Sequence, residues 1–200
     1  MNDKSVNSMK ETNDESSSFA KTIPNGYSKM CLTEYVPKNN IEKHLLTDLK
    51  MMEDATNKLD YKRIISLYYP DYFLYLQKQI PDKSISEIKE KFENYLANNL
   101  ADRNKEYTKM WSEAKRSGIV VTDIIKRIKE GNGLLYLYEY HSVLYSDSDT
   151  IVKDDAEYSL AVSLNNGKKW YNSASSIEDN YEILGMSFSR DAINKVLKRN

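Results

Sequence analysis

The chain is 200 residues long, with 40% hydrophobic and 30% charged residues, a composition typical of one globular domain with or without a tail. Its 29 basic and 30 acidic residues give a formal net charge of −1, which excludes a bulk electrostatic attraction to nucleic acid or to an anionic membrane. The single cysteine, Cys31, excludes an internal disulfide and a cysteine-based metal site, and no stretch approaches the roughly 18 apolar residues of a membrane span.

The N-terminal residues are predicted to form a tail. The stretch "NDKSVNSMKETNDESSS" is polar and rich in Ser and Asn, so that it has almost nothing to bury. The residues that follow it carry scattered apolar side chains without a clear period. We therefore divide the chain into a disordered or loosely attached tail over residues 1–42 and one domain over residues 43–200.

Hydrophobic periodicity predicts three helices before Pro81. The first runs from about residue 42 to 58, with apolar residues at alternating spacings of four and three. Asp60 is the candidate N-cap of the second helix, which ends at Pro70, and Asp71 is the candidate start of the third. The three apolar stripes consist of Leu45, Leu49, Met52, Thr56 and Leu59; Tyr61, Ile64, Ile65 and Tyr68; and Tyr72, Phe73, Leu76 and Ile80.

A fourth helical stretch begins with a capping box, in which the Ser84 hydroxyl and the Glu87 carboxylate satisfy backbone N–H groups of the first turn. Gly118 is predicted to be its C-cap, and an interruption at Asp102 leaves open whether the stretch is one helix or two. Its apolar residues are Ile85, Ile88, Phe92, Tyr95, Leu96, Leu100, Tyr107, Met110, Trp111 and Ala114.

The pattern after Gly118 indicates strands. The spacing of "IVVTDIIKRIKEGNG" also fits a helix, but its β-branched composition favours a strand. Residues 134–145 alternate clearly, with Tyr136, Tyr138 and Tyr140 on one face and Leu135, Leu137, Glu139, His141, Val143 and Tyr145 on the other. The segment "AEYSLAVSL" also alternates, which predicts a half-buried antiparallel strand with one polar face.

The segment Asn165-Asn166-Gly167 predicts a hairpin turn with two alternative registers. A two-residue loop pairs Val162 with Tyr171 and places Trp170 opposite Ser163 on the polar face. A three-residue loop with Gly167 in the left-handed conformation pairs Val162 with Trp170. Because burying an indole stabilises a fold by about 2 kcal/mol or more, we expect the three-residue loop with Trp170 pointing inward.

The chain ends with a short helix that Ser189 caps and that buries Ile193, Val196 and Leu197. Helices followed by consecutive antiparallel strands predict an α+β fold, with N-terminal helices packed on a curved antiparallel sheet.

Two phrases of the sequence resemble the NTF2-like (cystatin-like cone) superfamily, in particular its small uncharacterised bacterial members. "NKLDYKRIISLYYPDYF" is similar to the opening helix of that group, and "YSLAVSLNNGKKWYNSA" is similar to its late hairpin. The sequence after Trp170 lacks the Phe-Ile-Asp motif that is usual in that group, so the residue at which that strand ends is left open. The resemblance covers about residues 43–200 and implies a cone-shaped sheet with a pocket at its wide end.

Glu139 and His141 are the candidate catalytic residues. Two positions apart on a strand, they point to the same face, where they can hydrogen-bond and orient one another. If that face lines the cone, the pair can transfer protons, as in isomerase-like members of the superfamily. The alternative is a polar patch on the sheet. Tyr136, Tyr138 and Tyr140 likewise have two interpretations, as part of the core or as an aromatic wall that binds a ligand.

Other polar residues predict no further site. His44 is expected to be solvated, and the acidic stretch "SDSDTIVKDD" does not match a calcium-binding loop. No metal or cofactor is expected. The basic residues between Lys115 and Lys129 are interpreted as a solvated face that does not bind nucleic acid.

The expected function is that of a non-enzymatic NTF2-like domain that binds a small apolar molecule or a protein partner. A homodimer formed through the sheet is one such arrangement. The alternatives are an isomerase- or dehydratase-type enzyme that uses Glu139 and His141, and an interbacterial, immunity-type interaction protein. We expect a cytoplasmic location, or a periplasmic or secreted one if a signal peptide was removed.

Overall fold

The computed structural model describes residues 32–110, 115–146, 148, 151–173 and 177–197. Trp111, Ala114 and most of the predicted tail lie outside the described residues, as do Asp147 and Asp149. In chain order the elements are α1 (Asn40–Asn57), α2 (Tyr61–Ser66), α3 (Pro70–Gln79), α4 (Ile85–Met110), β1 (Arg116–Glu130), β2 (Gly133–Tyr145), β3 (Ile151–Ser163), β4 (Tyr171–Ser173), α5 (Ile177–Leu184) and α6 (Arg190–Leu197).

The four strands form one antiparallel sheet in the order β1-β2-β3-β4. The register of β1 against β2 shifts twice, between Val121 and Asp123 and between Ile124 and Lys126. Such bulges bend a strand and increase its twist, so they help to curve the sheet. The predicted fold class, α+β with N-terminal helices and a curved antiparallel sheet, is confirmed.

The central strands are covered by helices on both faces. On one face α1 packs Leu45 and Leu49 against Tyr136 and Tyr138 of β2. On the other face α5 and α6 pack against a second set of buried residues, which includes Leu135, Leu160, Val162, Ile183, Ile193 and Val196. Since both faces of β2 are buried there, its alternating pattern reflects two different cores instead of a core and a solvated side.

Local capping signals in the sequence are confirmed at three helices. The Asp60 carboxylate accepts the N–H of Arg63 at 3.0 Å, and Ser189 Oγ accepts the N–H of Ala192 at 3.2 Å. In the capping box, Glu87 accepts the N–H of Ser84 at 2.8 Å, and Ser84 Oγ accepts the N–H of Glu87 at 3.2 Å. Each cap satisfies a backbone donor that has no partner inside its own helix.

The prediction that α3 begins at Asp71 was wrong, because Pro70 occupies the first helical position, where its missing N–H costs nothing. Asp71 instead is 8% exposed and accepts hydrogen bonds from Tyr69 Oη at 2.7 Å and from Ser187 Oγ at 2.6 Å. This carboxylate therefore links α3 to the loop between α5 and α6.

The fourth helical stretch is one helix, α4, whose first half packs Ile88, Phe92 and Leu96 against α2 and α3. The prediction that Gly118 is its C-cap was wrong, since Gly118 lies inside β1. A Cβ atom at this position would lie 2.5 Å from the ring of Tyr145, so a larger residue would collide with the neighbouring strand. None of the described helices combines the length and the apolar character needed to cross a membrane.

The hairpin after β3 confirms that Trp170 points inward but not the predicted loop. Trp170 is 1% exposed, yet Val162 pairs with Tyr171, the register expected for the two-residue loop. The face of β3 that carries Ser163 was taken to be polar, whereas α1 covers it. Ser163 is completely buried, and its hydroxyl oxygen accepts the N–H of Gly167, a left-handed residue with φ of 77°, at 2.9 Å.

Candidate functional site

Glu139 and His141 lie on the same face of β2, in the C-terminal half of the strand, which extends past the residues that contact α6. The antiparallel register places Asp123 of β1 and Tyr158 of β3 on either side of Glu139. Directly paired residues of antiparallel strands share one face, so these side chains meet on one surface of the sheet. We call Thr122, Glu139, His141, Asp154 and Tyr158 the polar cluster.

The imidazole of His141 is held by a carboxylate from the neighbouring strand. Its Nδ1 atom lies 2.6 Å from Oδ1 of Asp154, and the two side chains are 18% and 11% exposed. Asp154 pairs with Val143, two residues from His141, so the contact is a diagonal cross-strand one. Such a partner fixes the ring orientation and leaves Nε2 as the ring atom available for a ligand or a proton.

Glu139 has different partners. Its carboxylate accepts the hydroxyl of Thr122 at 3.3 Å and lies 3.5 Å from Oη of Tyr158. Thr122 is the extra residue of the first bulge in β1, so the bulge is what aims its hydroxyl at the carboxylate. Glu139 and His141 are therefore each positioned by a separate neighbour, and not by one another as the sequence suggested.

The tyrosines that were candidates for ligand binding divide between core and surface. Tyr136 is 6% exposed, with its ring centroid 4.7 Å from that of Trp170. Tyr138 is 2% exposed, donates to Asn172 Oδ1 at 2.8 Å, and burial raises its pKa to about 12. Tyr140 is half-buried and donates to Glu157.

Tyr136 and Tyr138 share one buried cluster with Leu45, Leu49 and Trp170. A cavity of about 10 Å³ lies nearby, where α1 meets Trp170 and Asn172, about the size needed for a single water molecule. The face of β2 that carries Tyr136 and Tyr138 is thus packed against α1 as part of the core.

A buried ion pair that the sequence did not reveal attaches the start of the domain to β1. Glu42 is 1% exposed and accepts hydrogen bonds from Arg127 Nε at 2.8 Å, from Tyr35 Oη at 2.8 Å and from the N–H of Lys38 at 2.7 Å. The N–H of Tyr35 donates to the carbonyl of Val121 at 2.8 Å. Tyr35 and Glu42 are therefore in contact with the sheet.

A shallow, open groove runs along the outward side of α1. Its lining residues are Pro37, Lys43, Leu46, Thr47, Lys50, Met51 and Asp54.

His44 is exposed, as expected, and its Nδ1 atom lies 3.1 Å from the carbonyl of Gly167. Among the described residues there is no group of three or more His, Cys, Asp or Glu side chains that could hold a metal ion.

Comparison with known proteins identifies no relative. No family model, no curated protein and no solved structure matches the chain. The resemblance to the NTF2-like superfamily therefore stays a prediction, and the function has to be argued from the geometry of the molecule.

Proposed function

We propose that the chain is a non-enzymatic, NTF2-like binding domain whose ligand is a protein, and that the polar cluster is its recognition surface. An interbacterial, immunity-type protein is one form of such a domain. The curved antiparallel sheet is the feature shared with the cone that the resemblance implies, and helices cover both of its faces. Fold alone does not assign a function, so the proposal depends on the cluster itself.

The observation that carries the proposal is the preorganised state of the cluster. The Glu139 and His141 side chains stand on a sheet and have partners on the adjacent strands, while Tyr158 is 52% exposed. Rigid carboxylate and imidazole groups at a surface that also presents an aromatic ring suit hydrogen bonds and ion pairs with basic side chains of a partner. At the opposite face, Tyr136 and Tyr138 are buried against α1, so the exposed groups that can recognise a partner are those of the polar cluster.

Charge reversal at the cluster is expected to abolish partner binding. The tagged chain and its Glu139→Lys variant are used to capture proteins from cells of the encoding organism, followed by mass spectrometry. Glu90→Lys, the same charge change at an exposed position of α4, is the matched control. We expect one protein to be captured by the original chain and the control, and about tenfold or more weakly by Glu139→Lys. Equal capture by all three proteins contradicts the proposal.

A second candidate function is favoured by the short contact between His141 and Asp154. A histidine oriented by a carboxylate is a general base, which fits an isomerase- or dehydratase-type enzyme acting on carbonyl compounds with an acidic C–H bond. If so, the chain should catalyse deuterium exchange into small enones and β-hydroxy ketones, measured by NMR in D₂O. His141→Gln should lower that rate about 100-fold or more, while Glu90→Lys leaves it unchanged. No exchange with the unaltered chain eliminates this candidate.

A further inference from the structure

The outward side of α1 presents a stripe of residues that is independent of the polar cluster. Lys43, Thr47, Lys50 and Asp54 are exposed along its centre, and the half-buried Leu46 and Met51 lie on its two flanks. These residues line the groove opposite the core-facing side of the helix, which carries Leu45, Leu49 and Met52. Within the described part of the chain, neither Lys43 nor Asp54 forms a side-chain ion pair.

The stripe is complementary to itself when its direction is reversed. Lys43 and Asp54 are equally far from a midpoint between residues 48 and 49, about 8 Å along the helix axis on either side. Leu46 and Met51 are also symmetric about that midpoint, as are Thr47 and Lys50. A second α1 that runs antiparallel therefore brings opposite charges level at both ends, with Leu46 of both copies along one flank and Met51 of both copies along the other.

We propose that two copies of this chain associate through α1, antiparallel and across a two-fold axis at the midpoint of the stripe. Lys43 of each copy then faces Asp54 of the other, which forms two equivalent ion pairs, as an isologous interface requires. Thr47 and Lys50 of the two copies face each other along the centre, and Leu46 and Met51 of both copies pack along its two sides. Lys50 brings no uncompensated charge to the interface, since it already pairs with Glu53 of its own helix.

The surface beside the groove extends the same interface. Pro37 lines one edge of the groove, and the side chain of the neighbouring Val36 is 77% exposed, so it is accessible to a second copy. One helix pair with this flanking segment is at the low end of the area that specific interfaces bury. The dimer is therefore expected to dissociate on dilution. The proposed dimer forms through α1 and not through the sheet, which the sequence suggested, and it does not involve the polar cluster. The dimer and the proposed function can therefore be tested independently of one another.

Charge reversal tests the proposal by sedimentation equilibrium of the full chain. Lys43→Glu alone and Asp54→Lys alone each place like charges opposite one another twice, and each should weaken the dimer about tenfold or more. Lys62→Glu, at an exposed position of α2, should leave it unchanged. Circular dichroism of each variant checks that the monomer remains folded.

Mixing gives the decisive measurement. In an equimolar mixture of the two single variants, a heterodimer has an opposite-charge pair at both ends, so dimerisation should return to within about threefold of the original. The double variant Lys43→Glu/Asp54→Lys should also recover it. A chain that stays monomeric up to about 1 mM overturns the proposal, and so does a dimer that the single variants do not weaken or that mixing does not restore.

Discussion

Replacing Trp170 with alanine is expected to lower the free energy of unfolding by about 3–5 kcal/mol, the usual cost of removing a large buried aromatic side chain. Trp170 is 1% exposed, and its ring packs on that of Tyr136. Its indole N–H donates to the carbonyl of Ile41 at 3.2 Å, and its backbone N–H donates to the carboxylate of Asp48 at 2.7 Å. This residue therefore joins the hairpin to α1.

The effect is measured by equilibrium urea unfolding, monitored by circular dichroism because the chain contains a second tryptophan. Tyr95→Ala is the matched control, since Tyr95 is 59% exposed and its removal should cost less than about 1 kcal/mol. Trp170→Phe, which keeps an aromatic ring but loses the indole donor, should fall between the two. Similar losses for Trp170→Ala and Tyr95→Ala would show that the hairpin is not held through the indole.

The parts of the fold that could be predicted are those set by neighbouring residues. Asp60, Ser84 and Ser189 were identified as caps because a cap acts within three residues of its own position. The burial of Trp170 followed from its apolar area. The register of its hairpin could not be predicted in this way, because the prediction required knowing that α1, more than 100 residues earlier, covers the face with Ser163.

The candidate site was only partly predictable for the same reason. Strand alternation placed Glu139 and His141 on one face, which the structure also does. The partners of these residues come from other strands. Asp154 reaches His141 only through the register of the β2–β3 hairpin, and Thr122 reaches Glu139 through a bulge that strand periodicity does not reveal. A hairpin register counted across residues 146–150 pairs His141 with Asp155, because it misses the register shift between Leu144 and Tyr145 that brings Asp154 to the face of His141.

The buried Glu42 predicts a second large effect, which depends on pH. Burial by itself raises the pKa of Glu42, but hydrogen bonds from the Lys38 N–H, the Tyr35 hydroxyl and the Arg127 guanidinium outweigh it, so the pKa lies below its ordinary value of 4.5. A carboxyl group with a lowered pKa in the folded state stabilises the fold above pH 4.5. That contribution is lost as the pH falls through the lowered pKa.

Arg127→Met is expected to lower the free energy of unfolding at pH 7 by about 2–3 kcal/mol, because it leaves the Glu42 carboxylate buried without its cation. The estimate is below the usual cost of breaking a buried pair because the Arg127 side chain is 33% exposed, so water already screens the interaction. The loss should shrink as the pH falls through the lowered pKa of Glu42, because the protonated carboxyl group no longer requires a counter-charge.

Urea unfolding of both proteins between about pH 3 and pH 7 measures this difference. The hydrogen bonds of Glu87 to Ser84 and Lys83 lower its pKa to about 2. Protonation of Glu87 in acid lowers the free energy of unfolding of both proteins equally, so its contribution cancels in the difference between them. The double variant Glu42→Leu/Arg127→Met is the control. Removing both partners should restore part of the stability at pH 7, since no buried charge is then left unpaired. A loss for Arg127→Met that is the same at pH 3 and pH 7 would mean that the guanidinium acts through packing and not through the charge of Glu42.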